Sequence, residues 1–146
     1  MPRLARRQLL ACAVLLVALP AGAGGPAMTV WRSPGCGCCA LWAEHVRAAG
    51  LAVTLRDVED LAGLRALAGV PADLAGCHTA EVAGYLIEGH VPAAQILRLL
   101  DERPAIRGLA VPGMPVGSPG MEVPGTPPEP FDVIAFARDG SRYVFD

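Results

Sequence analysis

The chain contains no lysine; all twelve of its basic residues are arginine. Ala, Gly, Pro and Leu dominate, so the missing lysine reads as compositional bias rather than as a functional signal. The formal net charge is −2, and aromatic residues are scarce, at two Trp, two Tyr and three Phe. No basic patch with interleaved aromatics occurs, which removes the support for nucleic-acid binding. Long hydrophobic runs are also lacking. The apolar stretch from about Leu9 to Leu19 is too short for a comfortable membrane span. There is no internal repeat. What remains, at 146 residues with 53% hydrophobic content, is one domain able to bury a real core.

The short apolar stretch suits export instead. Residues 1–27 have the plan of a secretory leader: Arg3, Arg6 and Arg7 ahead of the apolar segment, then Pro20 and the small residues Ala21, Gly22 and Ala23. Arg6-Arg7-Gln8-Leu9-Leu10 also resembles a twin-arginine signal, so both Sec and twin-arginine export stay open. Leu9-Leu10-Ala11-Cys12 has the flavour of a lipobox, but the apolar run follows it rather than precedes it. Cys12 is therefore expected to leave with the leader, an uncleaved anchor being the alternative. The expectation is a leader over 1–27 and a periplasmic domain over 28–146. That domain is more acidic than the whole chain and has no stable membrane association after cleavage.

Cysteine is where the sequence becomes specific. Four remain after the leader: Cys36, Cys38, Cys39 and Cys77. An oxidising compartment makes disulfides the default, yet a disulfide scaffold would use well-separated cysteines. Here Cys36-Gly37-Cys38-Cys39 superposes three spacings: C-x-x-C, C-x-C and a vicinal pair. A disulfide between neighbours is strained. Such a cluster suits a soft metal, disulfide exchange, or both.

Periodicity places this cluster in a fold. Met28–Arg32 reads as a strand, Ser33-Pro34-Gly35 as a turn, and Cys38–Ala49 as a helix with Leu41, Trp42, His45 and Val46 at spacings of three and four. Ala52–Val58 alternates and is β-branched, so it is a second strand. Leu61–Ala68 is a short helix stopped by Gly69 and Pro71. Cys77–Val82 and Tyr85–Glu88 are two short strands joined at Ala83-Gly84, and a helix follows from Pro92 to Glu102. A Gly- and Pro-rich irregular stretch covers about 108–130, and a loop of that length is functional or disordered. Its composition is less polar than disorder favours. Phe131–Ala137 and Ser141–Phe145 form a hairpin around Asp139-Gly140. The order β-α-β-α-β-β-α, then a long Gly/Pro loop and a C-terminal hairpin, is an α/β, thioredoxin-like plan with C-x-x-C at the first helix N-terminus.

A helix N-terminus carries unpaired N–H groups and positive partial charge, which favour a thiolate. Thiolate is the species for both redox attack and metal binding, so the placement serves both. Other residues help to separate the two. In this topology Cys77 and His78, at the start of the third strand, can approach the triple thiol. His90 ends the following strand, and Met114 and Met121 lie seven residues apart in the Gly/Pro loop. Thiolate, thioether and imidazole together favour Cu(I), whereas zinc seldom takes methionine. Each residue has an ordinary alternative. Cys77 also reads as a lone buried thiol or a disulfide partner. His78 and His90 also read as structural. Met114 and Met121 also read as core fillers, although a turn-rich loop without helical period weakens that. His45, two turns beyond Cys38, reads as exposed or packed, and Glu122 as solvated. Trp31 and Trp42 are expected to pack under the cluster.

Taken together, four motifs resemble the CopG-type periplasmic copper-resistance family. They are Ser33–Cys39 with Trp42, Cys77-His78-Thr79-Ala80, Glu88–Ala93, and the loop Gly108–Glu122. The resemblance spans nearly all of the expected mature chain. It implies a thioredoxin-like fold that binds copper through the C-x-C-C cysteines, a role in copper resistance, and a redox role on copper ions. Metal binding carries over to Cys36, Cys38, Cys39 and Cys77, and further to His78, His90, Met114 and Met121. The first reading is an exported Cu(I)-binding protein, with copper ions and other periplasmic copper-handling proteins as its partners. The second is a thiol-disulfide oxidoreductase in which Cys36 attacks and Cys39 resolves. The third is a structural zinc site built from C-x-x-C with Cys77 and His78.

Overall fold

The structure is a computed structural model that describes residues 24–145. Most of the expected leader, with Arg6, Arg7 and Cys12, lies outside the described residues. Among these residues, seven strands and three α-helices follow in the order β1 (Ala27–Arg32), α1 (Gly37–Ala48), β2 (Ala52–Asp57), α2 (Leu61–Ala68), β3 (His78–Val82), β4 (Tyr85–Glu88), α3 (Ala93–Glu102), β5 (Gly108–Ala110), β6 (Ile134–Phe136) and β7 (Arg142–Val144). A single 3-10 turn, Ala72–Leu74, links α2 to β3. This is the β-α-β-α-β-β-α plan of a thioredoxin-like domain. Among the described residues, no helix is long and apolar enough to cross a membrane.

All seven strands form one sheet in the order β2-β1-β3-β4-β5-β6-β7. β1 and β2 run parallel across the α1 crossover, and β4 and β5 run parallel across α3. The remaining neighbours are antiparallel. β5 is the element that the sequence pattern hides. Gly108-Leu109-Ala110 is too short to show a period and opens the Gly/Pro stretch, yet all three residues are buried between β4 and β6. The C-terminal hairpin is therefore no appendage, because β5 splices β6 and β7 onto the main sheet.

Local chemistry accounts for the helix ends. Asp60 accepts a hydrogen bond from Gly63 N–H at 2.8 Å, capping α2, and Gly69 ends it in the left-handed conformation. His45 Nε2 accepts from Ala93 N–H at 3.1 Å, supplying a partner for the first turn of α3, which Pro92 leaves without a side-chain cap. This exposed histidine is thus a helix-capping residue, in keeping with its ordinary reading.

Strand alternation sends residues to two faces. Met28, Val30, Ala80, Ile87 and Leu109 form one core with Trp42 and Val46 of α1 and Ile96 and Leu99 of α3. Leu86, Ala110 and Phe136 form a smaller core on the other face with Val70 and Leu74. Each fully buried side chain of this kind stabilises the fold by about 1.5–3 kcal/mol. Trp42 belongs to the larger core and is fully buried. Trp31 alternates with Val30 and so lies on the opposite face, half-buried; it does not underlie the cysteines as Trp42 does.

Candidate metal centre

β1 ends at Arg32, and the chain turns through Ser33-Pro34-Gly35 into α1. Arg32 steadies this turn. Its Nη1 donates to the Cys36 carbonyl at 3.0 Å, while its Nε meets Asp57 at 2.8 Å. Cys36 is the N-cap residue of α1 and makes no side-chain cap bond; Cys38 and Cys39 lie in the first turn. The orphan N–H groups and the helix dipole thus face the sulfurs. Cys36 and Cys39 are joined as a disulfide, with Cys38 and Cys77 as free thiols.

The antiparallel pairing of β1 with β3 places Arg32 opposite His78, so Cys77 emerges beside the α1 N-terminus. Its sulfur lies 3.2 Å from that of Cys36, 3.1 Å from Cys38 and 3.3 Å from Cys39. Cys36 and Cys38 are 3.6 Å apart, and all four sulfurs fall within 4.8 Å of one another. Cys77 is nearly equidistant from both sulfurs of the disulfide. It therefore sits beside the S–S bond rather than in line with it, whereas disulfide exchange requires approach along that axis. Burial, with Cys38 adding to it, pushes the Cys77 thiol up to about 12.

The β3–β4 hairpin adds two imidazoles. Thr79 pairs with Glu88, so the end of β4 returns to the start of β3, and Gly89 N–H donates to the His78 carbonyl at 2.9 Å. This carries His90 back to His78, with ring centroids 5.1 Å apart. The fold-back needs two glycines in contact, because a Cβ on Gly76 would meet Gly89 Cα at 2.5 Å. Cys77, His78 and His90 offer ligand atoms within 4.8 Å of one another.

Both rings are fully buried. His78 lies against Trp42 at 4.2 Å, and neither of its nitrogens has a hydrogen-bond partner. Burial, then His90 and Arg65, hold its pKa down to about 3, so the ring is neutral at neutral pH. The His90 pKa is lowered too, again by burial, against the Pro119 carbonyl and Glu122, which favour the charged form. His90 Nδ1 lies 2.8 Å from the Pro119 carbonyl, which can only accept. Nδ1 therefore carries the proton, and the lone pair is on Nε2, which has no partner. Unpaired buried nitrogens are costly unless something else satisfies them. Beside four sulfurs, a soft cation is the species that would.

The long loop folds onto this centre. Gly120 lies so close to α1 that a Cβ would meet Trp42 N at 2.7 Å and Cys38 O at 2.9 Å. Met121 follows in a turn, its N–H donating to the Ser118 carbonyl at 2.8 Å, and is half-buried. Met114 is 54% exposed and shares the wall of a cleft with Cys77. The fold thus gathers the four cysteines, His78 and His90, and sets Met114 beside Cys77. Met121 belongs to the loop turn that covers α1.

A polar cluster occupies the opposite sheet face. Glu88 is fully buried and accepts from Arg65 Nε at 2.6 Å, Gly76 N–H at 2.7 Å and Thr79 Oγ1 at 2.6 Å. Arg65 Nη2 donates to the Gly76 carbonyl at 2.5 Å. Burial pushes the Glu88 pKa up, and the donors from Thr79, Gly76 and Arg65 pull against that. The pair holds both polar groups of Gly76, the residue before Cys77. A charged residue buried at the end of a strand, in Glu88-Gly89, was the available hint; nothing marked Arg65 as its partner.

Two solved structures are similar to this chain in fold and sequence. One, titled copper resistance protein CopG, Form 2, is 43% identical with a TM-score of 0.78, covering 83% of this chain and 96% of that one. The other, Form 1 of the same protein, is also 43% identical with a TM-score of 0.78, covering 84% and 97%. The chain belongs to the CopG copper-resistance family. A family described as "Protein of unknown function, DUF411" matches residues 74–121, the segment that holds Cys77, His78, His90, Met114 and Met121. No curated protein matches the chain. In this chain the four sulfurs stand where α1 meets the residue before β3.

Proposed function

We propose that this CopG-family chain is an exported, periplasmic copper-binding protein of copper resistance that holds copper as Cu(I). One observation carries the reading: four cysteine sulfurs within 4.8 Å of one another, bordered by two buried neutral imidazoles with unpaired nitrogens. Thiolate and imidazole donors suit Cu(I) and exclude hard cations. Cys36, Cys38, Cys39 and Cys77 are the proposed sulfur ligands. His78 and His90 border them, and Met114 and Met121 are auxiliary soft donors. Three thiolates on one helix end exceed the need of one low-coordinate Cu(I), which supports thiolate-bridged binding of more than one ion. Two further proposals follow from the leader: residues 1–27 are removed on export, and other periplasmic copper-handling proteins are the partners.

Loading requires reduction of the Cys36–Cys39 disulfide, which takes two electrons and two protons from a thiol reductant. Metal binding then releases the remaining thiol protons. Before that the α1 N-terminus stabilises thiolate, while Trp42 and the Gly120 loop keep bulk water from the imidazole side. The test is anaerobic titration of the reduced protein with Cu(I) against a chromophoric chelator, followed by X-ray absorption. Tight uptake with short Cu–S scattering is expected; a reduced protein that leaves all Cu(I) with the chelator overturns the reading.

The disulfide favours a second reading, a thiol-disulfide oxidoreductase with Cys36 attacking and Cys39 resolving. Its position at a helix N-terminus suits exchange. The side-on placement of Cys77 and the unpaired histidines suit metal better. Insulin reduction distinguishes the two, and turnover that survives in a Met114/Met121 double variant with no copper uptake favours the exchanger. A structural zinc site predicts instead a protein that unfolds on chelation.

A further inference from the structure

With Cys36 and Cys39 joined, Cys38 and Cys77 are left as free thiols whose sulfurs lie 3.1 Å apart. A disulfide holds its sulfurs about 2 Å apart, so roughly 1 Å of closure would join them. Four cysteines pair in three ways. One of these makes the strained vicinal bond between Cys38 and Cys39. Another joins Cys36 to Cys38, whose sulfurs stand 3.6 Å apart. Cys36–Cys39 with Cys38–Cys77 avoids both, and its first bond is already formed. The fold keeps the second pair in place. Cys38 is in the first turn of α1, and Cys77, 39 residues on, is just before β3. The β1–β3 register and the Arg65–Glu88 hold on Gly76 fix where Cys77 emerges. Cys77 also lines a cleft of about 490 Å³, through which a reagent reaches its sulfur.

We infer that Cys38 and Cys77 are a second redox dithiol, which a disulfide oxidant closes to a Cys38–Cys77 bond that seals the centre against metal. The oxidant, RSSR, is a small disulfide or one carried by a protein. One of the two sulfurs attacks it, forming a mixed disulfide and releasing RSH. The other sulfur then displaces the second RSH as the Cys38–Cys77 bond forms. Two electrons pass from the dithiol to RSSR, and both thiol protons leave on the two RSH. All four sulfurs are then held in disulfides, and none is left as the thiolate that a metal ion binds. Each of the two disulfides takes two electrons and two protons to open, so loading this form takes twice what the Cys36–Cys39 bond alone demands. In an oxidising compartment the second bond also withholds the last two thiols from irreversible oxidation. The dithiol stands on the sulfur geometry; its effect on loading rests on the copper reading above.

Peptide mapping of the metal-free protein tests the bond. Trypsin cuts this lysine-free chain only after arginine, which puts Cys36, Cys38 and Cys39 on peptide 33–47, Cys77 on 66–98 and Cys12 on 8–32. The reduced protein is treated with oxidised glutathione, and unreacted thiols are alkylated in denaturant before digestion. Peptides 33–47 and 66–98 are expected to run joined, with no alkylated cysteine and no retained glutathione on either. Cys36→Ser/Cys39→Ser should still join them, whereas Cys38→Ser should leave Cys77 alkylated or bound to glutathione. Cys38 and Cys77 that stay open to alkylation under excess oxidant overturn the dithiol. Joining as complete in Cys38→Ser as in wild type also overturns it, by giving Cys77 another partner. Ag(I), a redox-silent probe, then reads the seal: the joined form should take up none, and dithiothreitol should restore uptake. Equal Ag(I) uptake by joined and reduced protein overturns the seal. Reduced protein that takes up no Ag(I), although the peptides join on oxidation, instead overturns the copper reading and not the dithiol.

Discussion

Two buried polar groups lie on opposite faces of the same end of the sheet, and they are treated in opposite ways. On the α2 face, Glu88 is fully buried and both its oxygens accept hydrogen bonds, from Arg65, Gly76 and Thr79. On the α1 face, His78 and His90 are equally buried, yet three of their four ring nitrogens have no partner. Strand alternation makes the contrast unavoidable, because His78 and Thr79 are neighbours that point to opposite faces. The saturated side is a clamp that stabilises the apo fold. The unsaturated side costs the apo fold stability, and in the proposed reading its open nitrogens are left for a metal ion.

This contrast is best broken at its junction. Cys77→Ser removes the sulfur that touches the other three, and Cu(I) affinity should fall by more than the roughly 10–100-fold typical of supporting residues. Chelator competition measures it, and an affinity within tenfold of wild type would show that Cys77 is not a ligand. Next is the clamp itself. Glu88→Ala leaves Arg65 and Gly76 N–H without their partner and should cost about 3 kcal/mol in urea denaturation, near the low end for a broken buried pair because Arg65 keeps some access to water. The mirror experiment is His78→Leu. It should leave the apo protein as stable or about 1–2 kcal/mol more stable, since an unsatisfied polar group is lost, while Cu(I) affinity falls. Marked apo destabilisation would mean that the histidine is structural after all.

The pH dependence sharpens the same comparison. His78 is held at about 3 in the fold against an ordinary value of 6.5. Between those values the unfolded chain binds the proton and the folded chain does not. The contribution is therefore whole above pH 6.5 and is lost as pH falls toward 3, with a slope of at most about 1.4 kcal/mol per pH unit. His90, lowered by burial, acts with the same sign. Chemical denaturation of the apo protein across this range should show the loss, and His78→Leu should flatten it. The smallest effect expected is at Gly120, whose φ is 83°. Gly120→Ala forces a Cβ against α1 in a left-handed conformation and should cost about 1 kcal/mol or somewhat more. Faster proteolysis of the loop, with a changed His90 tautomer signal by NMR, would report that the loop has lifted.

Much of this was legible in order. The spacings at Leu41, Trp42 and Val46, the alternation over Ala52–Asp57, and the stops at Gly69 and Pro71 are local signals, and local hydrogen bonding answers to them. The C-x-C-C cluster and Cys77-His78 were legible because sulfur and imidazole in such density have few structural uses. β5 was not, since three residues carry no period and gain their strand character from β4 and β6 on either side. Arg65 was not legible either. On an eight-residue helix it reads as an exposed charge, and its partner lies 23 residues away.

The sequence by itself determined the chemistry of this protein: soft donors, a thiol cluster at a helix start, an export-like leader, and element order. Those follow from residue type and short spacing, which need no knowledge of distant contacts. Tertiary structure alone decided which donors are paired and which are left open. Whether His90 Nε2 keeps its lone pair depends on Pro119, 29 residues away, and whether Cys77 reaches Cys38 depends on the β1–β3 register. Hydrogen-bond saturation is a property of three-dimensional neighbours. That is why the clamp and the open metal face, one residue apart in β3, could be told apart only in the fold.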